Sequence, residues 1–111
     1  MTAEIQTTIK YYNEKGEVGV LISPGYGSGW YSWNESMPQL LFDKDIIQAV
    51  LDGDNDKAEQ VAIDKYGEDI YTGGASDLVV VWLQPGTMFR IEEYDGSESL
   101  TTYTNDIWFK A

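Results

Sequence analysis

Residues 5–12, IQTTIKYY, alternate along the chain: Ile5, Thr7, Ile9 and Tyr11 share one face, and Gln6, Thr8, Lys10 and Tyr12 the other. A period of two with β-branched residues predicts a strand. Asn13-Glu14-Lys15-Gly16 supplies turn chemistry, and Val18, Val20 and Ile22 resume the alternation. A β-hairpin is therefore expected over 5–22. Residues 24–38, PGYGSGWYSWNESMP, follow no period and carry two prolines and three glycines. A loop this long in a small domain is often functional.

From Leu41 to Gly67 the period becomes helical. Ile46, Ile47, Val50 and Leu51 form one apolar stripe, with Asp43 available as a cap and Gly53 as a stop. A second helix is expected to start at Asp56, which has Glu59 at capping-box spacing, and to bury Ala58, Val61, Ala62 and Tyr66. The short link between them predicts a two-helix hairpin.

After a loop at 68–76, DLVVVWLQ (77–84) is apolar on both faces, which predicts a central strand covered on both sides. Gln84-Pro85-Gly86-Thr87 is a type II turn, and FRIEEYD (89–95) is a strand. Asp95-Gly96 signals a hairpin, followed by strands at 99–104 and 107–110. Strands grouped before and after the helices predict an α+β fold: a mostly antiparallel sheet of about five to six strands, with the two-helix hairpin packed on one face.

The chain has 111 residues, the size of one domain, so residues 1–111 are expected to form a single α+β unit. Four Trp and eight Tyr argue against a disordered acidic chain. The first ten residues have no basic or apolar leader, and the longest apolar run, Leu78 to Leu83, is far too short to span a bilayer. A cytoplasmic protein without membrane contact is the expectation.

Chemistry is narrowed by what the composition lacks. With no Cys and no His, disulfides, Cys nucleophiles and His general bases are excluded. No catalytic residue stands out, no cofactor is implied, and an enzyme is not expected. The nineteen acids against seven bases give a net charge of −12, which argues against direct nucleic-acid binding. The acids are clustered. Residues 43–69 hold nine acids and three bases, and residues 92–98 hold four acids and no base. Asp56, Gln60, Asp64 and Glu68 fall on one helical stripe.

If the 92–98 hairpin borders the helices, Asp52, Asp54, Asp56, Asp64, Glu68, Glu92, Glu93, Asp95 and Glu98 make one anionic surface suited to a basic-surfaced partner. Acidic helix faces are more commonly just solvated surface. Asp52, Asp54 and Asp56 also occupy the first three ligand positions of an EF-hand-like loop. Lys57 and Ile63 stand where its Gly and Glu are needed, so no metal is expected.

The stretch from Gly25 to Asn34 is Gly-x-Gly-x-Gly followed by aromatics, without the Lys or helix start of a nucleotide fingerprint. Tyr26, Trp30, Tyr31 and Trp33 offer stacking surfaces for a small ligand or a protein contact, and Tyr71-Thr72-Gly73-Gly74 could line the same end. The competing reading makes Trp30 and Trp33 core residues. Arg90, the only arginine, is expected to pair with a cross-strand carboxylate or else to bind an anionic ligand.

The combination of GVLISPGYGSGWYSWN, YTGG and DLVVVWLQPGTMFRIEEYDG resembles small acidic accessory proteins carried by tailed bacteriophages. The resemblance implies a factor acting in the host cytoplasm. It would inhibit a defence or nucleic-acid enzyme by stoichiometric binding, with nucleic-acid mimicry as one route. The alternative is a small-molecule or nucleotide-signal sponge using loop 24–34. Edge strands leave a homodimer open.

Overall fold

The computed structural model describes residues 10–34 and 37–103. In chain order the elements are β1 (Val18–Ile22), a one-turn 3-10 helix (Tyr31–Trp33) and α1 (Gln39–Phe42), then α2 (Lys44–Leu51) and α3 (Asn55–Tyr66). A second 3-10 turn (Ala75–Asp77) leads into β2 (Val79–Leu83), β3 (Phe89–Tyr94) and β4 (Ser97–Thr102). The class is α+β, but the expected five-to-six-stranded sheet is not present among the described residues. They hold two separate two-stranded antiparallel sheets, β1–β2 and β3–β4, and three helices instead of two. The expected strand segments 5–9 and 107–110 lie outside the described residues.

The two sheets are joined where β1 ends and β4 begins, and there the Glu98 N–H donates to the Ser23 carbonyl at 2.9 Å. Past this bond side chains take over from backbone pairing: the Ser23 N–H donates to the Glu98 carboxyl at 3.0 Å, and the Pro24 carbonyl accepts from the Ser97 hydroxyl at 2.7 Å. The chain then leaves β1 through the glycine loop.

β1 is buried at every position and pairs with β2 from Val18 opposite Leu83 to Ile22 opposite Val79. The roles expected of the two strands are exchanged. β2, the apolar run, is half-buried and exposes Val79, whereas β1 takes the inner place. Contacts with α1, α2 and β4 cover β1. Gly19 lets Trp82 and Ile47 approach its α-carbon closely. Before β1, the Asn13–Gly16 turn forms with Gly16 at φ 80°, and Tyr12 bridges to Val18.

Asp43 divides the first helical stretch. Its backbone is extended (ψ 118°) and its side chain caps α2 through the Asp45 and Ile46 N–H groups, so α1 ends at Phe42. A Schellman motif closes α2: Gly53 at φ 77° donates to the Val50 carbonyl, and the Asp54 N–H donates to the Ala49 carbonyl. The N-cap of α3 is Asp54, bonded to the Lys57 N–H, and not Asp56, which lies in the first turn. Ile46, Ile47, Ala58 and Ala62 fill the core with Leu21, Trp30 and Leu40.

At the other hairpin, Asp95 (φ 53°) and Gly96 (φ 87°) both take positive φ, as a two-residue type I′ turn requires, with Tyr94 opposite Ser97. Gly86 at φ 86° and the Thr87 N–H bond to the Gln84 carbonyl make the turn between β2 and β3.

Candidate functional site: a corner of loop and hairpin

The glycine–aromatic loop is fastened to the tip of the β3–β4 hairpin. The Gly27 N–H donates to the Asp95 carbonyl at 2.6 Å, and the Ser97 hydroxyl donates to the Pro24 carbonyl at 2.7 Å. Glycine is needed on the hairpin side. A β-carbon on Gly96 would stand 2.6 Å from the Ser28 nitrogen and 2.7 Å from the Gly27 nitrogen.

Beneath this seam lies the Glu98 side chain, 1% exposed. One carboxyl oxygen accepts from the Ser23 N–H at 3.0 Å. The other accepts from the N–H groups of Trp30 (2.9 Å) and Ser32 (2.8 Å) and from the Ser32 hydroxyl (2.6 Å). A carboxyl is tolerated inside a protein only with such a set of donors. Here the donors come from a loop that has no ladder to satisfy them.

The same loop gathers the segment at 71–74. The Asn34 amide donates to the carbonyls of Trp30 (2.8 Å) and Tyr71 (2.9 Å), and its oxygen accepts the Tyr71 N–H at 2.7 Å. The Ser23 hydroxyl is shared between the carbonyls of Ser28 and Gly74. Thr72 donates to Glu59 at 2.7 Å, joining this segment to α3. No buried side-chain polar atom among the described residues is left without a partner.

Two aromatic pairs face outward. The Trp33 indole rests on Gly29, lies 5.2 Å from the Tyr71 ring and donates its N–H to Glu93 at 3.3 Å. The Tyr71 hydroxyl donates to the Gly27 carbonyl at 3.3 Å. Tyr26 and Tyr94 meet edge to face at 6.5 Å and are 73% and 76% exposed. Glu93 accepts the Gly96 N–H at 2.7 Å, and Asp77 lies against Gly25. None of the ion pairs among the described residues involves Glu93, Asp95 or Asp77.

Burial removes two of the residues expected at a binding surface. Trp30 is fully buried, with its indole N–H on the Leu40 carbonyl at 2.9 Å, and Glu98 is an internal anchor. Tyr31 and Arg90 line a shallow groove with Ser32, Leu41, Phe89 and Ile91. Arg90 pairs at 2.8 Å with Glu92 on its own strand and not across it, because the register sets Thr101 opposite. Side chains two apart on a strand share a face.

The helical acids form a separate group. Asp54 caps α3, Asp52 accepts from Gln48 and Asp64 from Gln60 (each 3.0 Å), and Asp56 is exposed in the first turn. Glu68 falls off the expected stripe, since the helix ends at Tyr66 and Gly67 turns away at φ 98°. The main packing partners of α3 are α2 and the 75–77 turn. The hairpin packs on β1 and on the 31–33 turn. The two acidic stretches thus sit on different parts of the fold. Among the described residues no group of three or more carboxylates is placed to hold a metal ion.

The other concentration of charge lies where α1, α2 and α3 meet. Asp43 accepts from Lys65 (3.1 Å) and from the Tyr66 hydroxyl (2.6 Å), and Lys65 reaches Asp45 at 2.7 Å. Burial alone would push the Asp43 carboxyl up. The Tyr66 hydroxyl, the Ile46 N–H and Lys65 outweigh it and hold the carboxyl below its usual range. Burial and the Asp43 hydrogen bond push Tyr66 well up. For Lys65, burial is outweighed by Asp45 and Asp43, which raise it. These groups satisfy one another around a helix start, which accounts for their perturbation without a reaction.

Sequence reasoning missed Tyr94 and the donors Ser23, Ser32 and Asn34. Polar residues in a loop carry no period that would reveal an internal role. No family model matches the chain, and no curated protein or solved structure matches it. No helix among the described residues is long and apolar enough to cross a membrane.

Proposed function

We propose that this protein acts without catalysis, as an acidic binding protein that docks onto a basic-surfaced partner protein. The observation that carries the reading is the junction of loop 24–34 with the 92–98 hairpin. It sets exposed Tyr26, Trp33 and Tyr94 beside Glu93 and Asp95, carboxylates that take part in none of the ion pairs among the described residues. Exposed aromatics anchor protein interfaces, and uncompensated charge steers a partner of opposite sign.

Internal bonds hold the corner in shape, so little ordering cost falls on binding. Together with the net charge of −12, this suits a stoichiometric inhibitor of the phage accessory type, acting in a host cytoplasm on a defence or nucleic-acid enzyme. The acids of α2 and α3 add long-range attraction.

The test is a pull-down from host lysate in a salt series, followed by binding measurements with the purified partner. A partner with a basic surface, lost as salt rises and lost with W33A or Y94A, is expected. Recovery of no such partner, or binding indifferent to salt, would refute the reading.

A further inference from the structure

Beyond general charge attraction, we propose that the corner holds a site for one arginine side chain of the partner, formed by Trp33, Tyr71 and Glu93. This rests on the docking reading above and names the group it recognises. The Glu93 carboxylate is fixed before any ligand arrives. One oxygen takes the Gly96 N–H at 2.7 Å and the Trp33 indole N–H at 3.3 Å. The other oxygen has no hydrogen-bond partner among the described residues and is free to accept.

Beside it stand the Trp33 ring, 41% exposed and braced on Gly29, and the Tyr71 ring, 5.2 Å away and tilted by 57°. The nearest base on the strand, Arg90, is committed to Glu92. A free carboxylate oxygen next to aromatic surface suits a guanidinium, which stacks on rings through its flat face and donates through its edge. An ammonium is a compact, strongly hydrated point charge that gains less from such a site.

The experiment titrates the full chain with a capped tetra-arginine peptide and its tetra-lysine counterpart. It follows the indole N–H resonances by NMR, with W33F assigning that of Trp33. The arginine peptide should bind about tenfold tighter than the lysine peptide and move the Trp33 indole resonance. E93Q should remove about that tenfold preference, weakening the arginine peptide far more than the lysine peptide.

Equal affinity for the two peptides, with changes confined to α2 and α3, would overturn the arginine site and leave the basic-partner reading standing. Arginine preference that survives E93Q would overturn it as well. Binding of neither peptide at low salt would overturn both.

Discussion

Ser23 and Glu98, 75 residues apart in sequence, are bonded twice: the Ser23 N–H donates to a Glu98 carboxyl oxygen at 3.0 Å, and the Glu98 N–H donates to the Ser23 carbonyl at 2.9 Å. This is where the β3–β4 hairpin is joined to the end of β1. Truncating Glu98 would strand three loop N–H groups inside the protein. Glu98→Ala should therefore cost about 3 kcal/mol or more, read as a lower urea midpoint at unchanged slope. Glu98→Gln should recover less than half of that, because its NH2 group faces donors. Wild-type stability in E98Q would show that the second carboxyl oxygen is dispensable.

Two glycines with nearly the same φ should respond differently to alanine. Gly86 (φ 86°) faces open space, so Gly86→Ala should cost about 1 kcal/mol of backbone strain alone. Gly96 (φ 87°) would also drive its β-carbon into the backbone of Gly27 and Ser28. Gly96→Ala should cost at least about twice as much. It should also speed amide exchange at Gly27, whose N–H is bonded to the Asp95 carbonyl. Equal losses in the two variants would mean that the loop and hairpin are not in close contact.

The two tryptophans of the loop should separate stability from binding. Trp30 is fully buried and hydrogen-bonded, so Trp30→Ala should lose about 3–5 kcal/mol. Trp33 is 41% exposed, and Trp33→Ala should lose about 1 kcal/mol while weakening partner binding. Thermal unfolding alongside binding measurements would decide it. Comparable stability losses would contradict the different burial of the two rings.

The Asp43 cluster gives stability a pH dependence at both ends. The Asp43 carboxyl is held below its ordinary 3.8 in the folded state, so its contribution is whole above that value and lost as pH falls through the folded one. The advantage of the wild type over D43N should therefore shrink from about pH 5 down to about pH 2. Tyr66 is raised above its ordinary 10.0, so its contribution is whole below that value and lost as pH rises beyond it. Lys65 is shifted in the same sense above 10.5. Y66F should lose less stability than the wild type between about pH 9 and pH 11. Parallel pH profiles for wild type and variants would refute the assignment.

Much of the local structure was legible in the sequence. Alternation marked β1, Pro85-Gly86 and Asp95-Gly96 marked the turns on either side of β3, and Asp43 and Gly53 marked the limits of α2. The start of α3 was misread because Asp54 and Asp56 are both able caps, and only backbone geometry selects between them. The single large sheet was misread because strand signals say nothing about which edges meet. At the site, Trp33 and Glu93 carried visible chemistry. Trp30 and Glu98 carried the same chemistry and are buried.

Residue order by itself determined the strand and turn signals of the hairpin, the limits of α2, the acidity and the absence of thiol and imidazole chemistry, since each depends on near neighbours or on composition. Tertiary structure alone decided that Glu98 is an anchor and Glu93 a surface carboxylate, although both lie in one acidic run. It also brought Trp33 against Tyr71, 38 residues further along the chain. Burial and proximity depend on how distant segments pack, and a buried carboxyl keeps its place only where a distant loop supplies donors for it.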